Sequence, residues 1–171
     1  QTKKIKDDYS YATYFSQAAK EHGTRLEPKA KEAILKCIST SELYFDILQV
    51  ENGDESSHVV IKKEEKSTEV VTTPDMILEY CSIEDKGLMV VEIKCPYHCI
   101  LKRGDDSIYT TVCKFYQKNL YGKENAFIQA GVYSMVFGAR LFRVVFYFTD
   151  TVDEEFILVY TYKPTEELYE Q

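Results

Sequence analysis

The chain has 171 residues, a net charge of −7, 44% apolar residues and 29% charged residues. That length predicts one domain, residues 1–171, with a core of its own, and the composition excludes wholesale disorder. No segment approaches the ~20 continuous apolar residues of a membrane span, and the acidic balance runs against the basic charge common in duplex-binding proteins.

The first residues, Gln1-Thr2-Lys3-Lys4-Ile5-Lys6, have the charge of a signal peptide but no apolar segment after them. They do not start with Met, which fits a piece of a longer chain, and the reading is a soluble intracellular protein, cytoplasmic or nuclear. Residues 9–22 are predicted to be a helix, with Tyr11, Phe15 and Ala19 at helical spacing. His22-Gly23-Thr24 then breaks the pattern, and Thr24 with Glu27 three residues on has the spacing of a capping box. A second helix is predicted at about 25–37, with Ala30, Ala33, Ile34 and Cys37 on one face.

Strands are predicted at 43–50 and 58–63, parted by the turn sequence Glu51-Asn52-Gly53-Asp54. Glu64–Glu69 reads as a charged loop or strand end. The apolar runs 76–81 and 88–94, separated by Glu84-Asp85-Lys86-Gly87, read as two antiparallel neighbours. Pro96 ends the second run; 97–113 has no clear pattern, with Arg103-Gly104-Asp105-Asp106 as a loop. A helix is predicted over 124–137 from Phe127, Ile128, Val132, Met135 and Val136, with Gly138 as its C-terminal cap. Strands at about 142–149 and 155–162, parted by Asp150–Asp153, close the chain. The order predicts an α/β (α+β) domain: a mixed central β-sheet flanked by α-helices.

Five cysteines at irregular spacing do not form a secreted disulfide framework. Cys95, His98 and Cys99 are close enough to suggest zinc, but no second ligand pair stands at a finger spacing, and the alternative is reduced thiols beside a surface histidine. Cations gather at Lys29, Lys31 and Lys36; at Lys62, Lys63 and Lys66; at Lys102 and Arg103; and at Lys114, Lys118 and Lys123, each group reading as a solvated face or as part of a basic surface.

The segment with chemical content is Thr73-Pro74-Asp75-Met76-Ile77 followed by Val91-Glu92-Ile93-Lys94-Cys95-Pro96. Alternate side chains of a strand share a face, so Glu92 and Lys94 point one way and Ile93 the other. Asp75 opens the neighbouring arm of the hairpin, beside Glu92. Charges at the end of a strand as apolar as Leu88-Met89-Val90-Val91 are costly unless a partner or a metal receives them. Two carboxylates, with the Ile93 carbonyl as a further oxygen, suit Mg²⁺ or Mn²⁺. A lysine beside them suits the charge that develops when a phosphodiester is hydrolysed. The plain alternative is an exposed Glu-x-Lys ion pair after a Pro-Asp turn.

The element Glu92-Ile93-Lys94-Cys95-Pro96 after Pro74-Asp75 resembles the signature of the lambda-type phage exonucleases and YqaJ-type viral recombinase nucleases, a branch of the PD-(D/E)XK superfamily. Upstream, Gly23-Thr24-Arg25-Leu26-Glu27-Pro28-Lys29-Ala30 resembles that family's Gly-x-x-x-Glu-x-x-Ala helix start. Downstream, Phe127-Ile128-Gln129-Ala130-Gly131-Val132-Tyr133-Ser134-Met135 resembles its glutamine-bearing helix. The resemblance implies a restriction-endonuclease-like core and a metal-dependent deoxyribonuclease acting on linear duplex DNA as a recombination-type exonuclease. It implies Asp75, Glu92, Ile93 and Glu27 at Mg²⁺ or Mn²⁺, Lys94 assisting the attacking water and Gln129 positioning water or substrate. It further implies phage, viral or virus-derived genes, a homo-oligomer and a recombination partner protein. Two readings stay open beside it: an endonuclease on DNA or RNA with the same site, and a non-catalytic nucleic-acid or protein-binding module on the same fold. By itself Glu27 also reads as a capping residue, Gln129 as an ordinary polar helix position, His58 as a surface histidine rather than a metal ligand, and Tyr97 as a core aromatic rather than a base-stacking one.

Overall fold

The computed structural model describes residues 2–41, 46–52, 57–63, 66–81, 85–118, 123–149 and 154–164, with side chains for 16–37 and, within those segments, from 73 onward. The elements run α1 (Thr2–Ser41), β1 (Asp46–Asn52), β2 (Ser57–Lys63), β3 (Lys66–Thr72), β4 (Met76–Cys81), β5 (Lys86–Lys94), α2 (Tyr97–Leu101), α3 (Ile108–Gln117), α4 (Glu124–Val136), β6 (Leu141–Thr149) and β7 (Glu155–Tyr162). Among the described residues five strands form one sheet in the order β1-β4-β5-β6-β7. The β5–β6 pair is parallel and the other pairs are antiparallel, so the sheet is mixed and the α/β (α+β) expectation holds.

The sheet has an apolar layer on each face because its inner strands alternate. Met89, Val91 and Ile93 of β5 join Met76, Leu78 and Tyr80 of β4 against Leu26, Ala30, Ala33 and Ile34 of α1. Val90 of β5 joins Phe142, Val144, Phe146 and Phe148 of β6 against Ile108 and Val112 of α3 and Ala126 and Ala130 of α4. Strand β6 is buried along both faces from Leu141 to Phe148, as a strand covered on both sides must be.

Two expectations change. The two N-terminal helices are one, running through His22-Gly23-Thr24 with Pro28 inside it. Gly23 and Pro28 together cost about 4 kcal/mol in a helix interior. Burying Leu26 and Ile34, 4% and 2% exposed, contributes about 1.5–3 kcal/mol each and offsets that cost. Thr24 and Pro28 are both exposed, so water can take the Thr24 carbonyl that Pro28 has no amide to bond. The capping-box reading of Thr24 and Glu27 falls with the helix break.

Second, 97–113 is not patternless: it holds α2 and most of α3. Strand β1 pairs with β4, and residues 66–72 form β3, which takes in the part of 64–69 read as a loop or strand end and pairs with β2 in a separate two-stranded sheet. Ser107 caps α3, its hydroxyl oxygen accepting the Thr110 amide at 3.1 Å.

The end of α4 follows expectation. Gly138 has φ +63°, its amide reaches the Met135 carbonyl at 3.2 Å, and the Ala139 amide reaches the Ser134 carbonyl at 2.7 Å, the paired bonds of a Schellman cap. Gly53, Asp54, Glu64, Glu84 and Asp150–Asp153 lie outside the described residues, as do the side chains of Tyr11, Phe15, His58, Lys62, Lys63 and Lys66. Among the described residues no helix is long and apolar enough to cross a membrane.

Candidate active site: a buried carboxylate pair at the end of β5

The β4–β5 register pairs Met76 with Val91, which sets Asp75, one residue before β4, opposite Glu92. Asp75 Oδ2 accepts the Ile93 amide at 2.6 Å. Its carboxylate thus takes over a ladder amide just beyond the point where β4 pairing ends, and that bond fixes the side chain. Glu92 and Lys94 share the α3/α4 face of β5, and the Ile93 side chain enters the α1 layer.

Glu92 is 2% exposed. Its Oε1 accepts from the Lys94 ammonium at 2.6 Å, while Oε2 is buried with no hydrogen-bond partner. A buried carboxylate oxygen left in that condition is expensive. Burial first, and then the charge of Asp75, push the Glu92 carboxyl up to about 7, against the opposing pull of Lys94. Asp75 is also raised, by burial and by Glu27, with the Ile93 amide and the lysines Lys94 and Lys31 pulling the other way.

The lysine is held from two sides. Its ammonium also donates to Gln129 Oε1 at 3.1 Å, and Gln129 Nε2 donates to the Tyr133 hydroxyl at 2.9 Å. Strand β5 and helix α4 are thereby tied by a relay, Glu92–Lys94–Gln129–Tyr133. The sequence reading missed Tyr133; the signal was its i+4 spacing from Gln129 on one helix face.

Glu27 stands apart. It forms an ion pair with Lys31 one turn on, at 2.7 Å, and its side chain is 37% exposed. It is close enough for its charge to raise Asp75, Glu92 and the Cys95 thiol. With Ala19 and Gly23 of the same helix and Ile93, Lys94 and Cys95 across from it, Glu27 lines a cavity of about 220 Å³ between α1 and the end of β5. A Cβ placed on Gly23 would meet nothing within 4 Å, so this glycine leaves the cavity wide rather than admitting a neighbour.

Asp75, Glu92, Lys94 and Gln129 therefore meet, with Ile93 supplying backbone to the same point, while Glu27 faces the cavity without a hydrogen bond to them. Among the described residues no group of three His, Cys, Asp or Glu side chains is arranged to hold a metal ion. The two carboxylates do fit a hard cation. All their donors are oxygens, one oxygen is buried with no partner, and the Glu92 carboxyl is balanced between its charged and neutral forms near pH 7.

Cys95 is a less apt ligand: burial, Asp75 and Glu27 push its thiol up to about 12, and burial also raises Cys99. Tyr97 packs its ring 4.9 Å from that of buried His22, linking α2 to α1.

No family model matches the chain, and no curated protein matches it. Among solved structures it is similar to one described as the crystal structure of SSO0001, with 15% sequence identity and a TM-score of 0.44 over 98% of this chain and 66% of that one, so the chain spans just under two thirds of that neighbour's length.

Proposed function

We propose that this chain is a divalent-metal-dependent deoxyribonuclease with a PD-(D/E)XK, restriction-endonuclease-like core, of the lambda-type and YqaJ-type recombination exonuclease branch. The observation that carries the reading is the Glu92 carboxylate: buried, beside a second carboxylate, bonded on one side to Lys94 and open on the other. A structural ion pair has no use for the second oxygen or for Asp75 as a neighbour.

In this reading Asp75, Glu92 and the Ile93 carbonyl hold Mg²⁺ or Mn²⁺, with Glu27 as an outer ligand. The cation, when bound, supplies Lewis acidity toward the phosphate and a more acidic water. The protein's own groups do the rest. Lys94 places a positive charge where the phosphate gains negative charge in the transition state. Gln129, steadied by Tyr133, stops the ammonium from collapsing wholly onto Glu92. The Ile93 amide keeps Asp75 from turning away. The cavity beside Glu27 and Gly23 admits the water or one arm of the substrate.

The test is incubation with linear and with closed circular duplex DNA, with and without Mg²⁺ or Mn²⁺, beside Lys94→Ala. Metal-dependent loss of linear DNA alone, reduced at least 100-fold in the variant, is the expected result. Cutting of circles assigns an endonuclease to the same site. No cleavage of DNA or RNA by the wild type removes the nuclease reading in favour of a binding module.

A further inference from the structure

Two of the cation groups in the sequence, Lys102 with Arg103 just past α2 and Lys114 with Lys118 at the end of α3, have no part in the carboxylate site. The fold brings them to one place. Helices α2 and α3 enclose a cleft of about 220 Å³ whose walls carry Lys102, Arg103, Lys114 and Lys118, with His98 on the α2 side and one carboxylate, Asp106.

Four cations against one carboxylate is a large local excess in a chain of net charge −7. Like charges around so small a depression repel one another, by up to about 1 kcal/mol per pair at 4 Å even in water. An anion seated among them reverses that cost. Asp106 takes the Lys114 ammonium at 2.5 Å. Part of the arrangement follows from helix ends, since Lys102 and Lys118 cap α2 and α3 and cations are favoured at C-termini. Helix ends do not explain why both cap lysines and Arg103 face a single concavity.

The cleft is also braced from beneath. Lys123, 3% exposed, donates to the Tyr116 and Lys118 carbonyls at 3.4 and 3.5 Å and lies 4.4 Å above the Phe115 ring. It fixes the end of α3 that carries Lys118, so the cleft is formed before any ligand arrives.

We propose that the α2–α3 cleft is a phosphate-binding site that holds the sugar–phosphate backbone of a nucleic-acid strand. Only the identity of the polyanion rests on the nuclease reading; the phosphate chemistry rests on the cleft. The ligand contacts are ionic and sequence-independent, and Asp106 acts as a brake by occupying Lys114.

The experiment is fluorescence anisotropy with labelled single-stranded and duplex oligonucleotides, using the full chain in EDTA so that cleavage plays no part. Lys102→Gln/Arg103→Gln/Lys118→Gln is expected to weaken binding at least tenfold and to flatten the slope of log K against log salt by about 2–3, at about 0.7–0.9 per phosphate contact. Asp106→Asn is expected to tighten binding about threefold, a gain that misfolding cannot produce. Inorganic phosphate binding at millimolar concentration, read by calorimetry, with no oligonucleotide binding, keeps the phosphate site but assigns it a small free anion.

The proposal is overturned if the triple variant binds oligonucleotide and phosphate as the wild type does, if Asp106→Asn does not tighten binding, or if the wild type binds neither. Binding lost in the triple variant of a protein that cuts no nucleic acid leaves the cleft standing while the nuclease reading falls.

Discussion

Replacing Glu92 with Gln separates a metal-ready carboxylate from a structural ion pair, because the two readings predict opposite changes in stability. The folded protein moves the Glu92 carboxyl from its ordinary 4.5 up to about 7. A carboxyl raised on folding binds more protons in the native state than in the unfolded one, so native stability is lost as pH rises from about 4.5 through about 7. At 1.36 kcal/mol per pH unit the full penalty is about 3 kcal/mol above pH 7 in metal-free protein.

Glu92→Gln keeps the shape, keeps an acceptor for Lys94 and removes the charge. The shift to about 7 already includes the pull of Lys94, so the variant should be about 3 kcal/mol more stable than wild type at pH 8 in EDTA. For a domain of this size that is about 6–12 °C in Tm. At pH 4 the advantage disappears.

Mg²⁺ at about a thousandfold excess over Kd should invert the order, since wild type then gains about 4.1 kcal/mol and the variant does not. Buried His22, lowered by burial and by Arg25, contributes stability that rises as pH climbs toward its ordinary value, but it does so in both proteins and cancels in the difference. Thermal or urea denaturation at pH 4, 6 and 8, with EDTA and with Mg²⁺, decides the matter. A Glu92→Gln protein that is less stable than wild type at every pH, with no response of either to Mg²⁺, refutes the reasoning.

Glu27→Gln removes an exposed i,i+4 pair with Lys31 worth about 0.3–0.5 kcal/mol, so Tm should barely move while metal-dependent cleavage falls at least tenfold; unchanged cleavage would confine Glu27 to the helix surface. Gly138→Ala places a side chain at φ +63° and should cost about 1–2 kcal/mol in urea denaturation, with cleavage unaffected at temperatures where the variant is folded; a neutral result would mean that the cap tolerates another geometry.

The parts of this structure that could be read in the sequence are those set by neighbours in the chain. The β4–β5 hairpin follows from two apolar runs and a turn, and with it come Asp75 opposite Glu92 and the shared face of Glu92 and Lys94. Helix α4 and its Gly138 cap follow from spacing and from the one residue suited to positive φ. Helix α3 was legible and went unread: Ser107 followed by Ile108, Thr111, Val112 and Phe115 has both a cap and a helical stripe.

What could not be read depends on distant partners. The β1–β4 pairing competes with a shorter β1–β2 connection, and only a sheet built from the rest of the chain decides it. Continuity of α1 past Gly23 and Pro28 rests on the sheet face that Leu26 and Ile34 cover, a tertiary override of local propensity. The lysine relay through Gln129 to Tyr133 needs α4 laid across β5, which no local pattern specifies.

The parallel pairing of β5 with β6 has a consequence for how such a protein can diversify. Parallel neighbours need a long crossover, and here α2, α3 and α4 all lie within it. Helix α4 is bound into the relay and the core, whereas α3 docks mainly through Ile108, Val112 and Phe115. The stretch from Tyr97 to Lys118 is therefore an exchangeable cassette between fixed ends. Substitution or lengthening within it leaves the strand register and the carboxylate pair in place while changing the basic surface of the α2–α3 cleft.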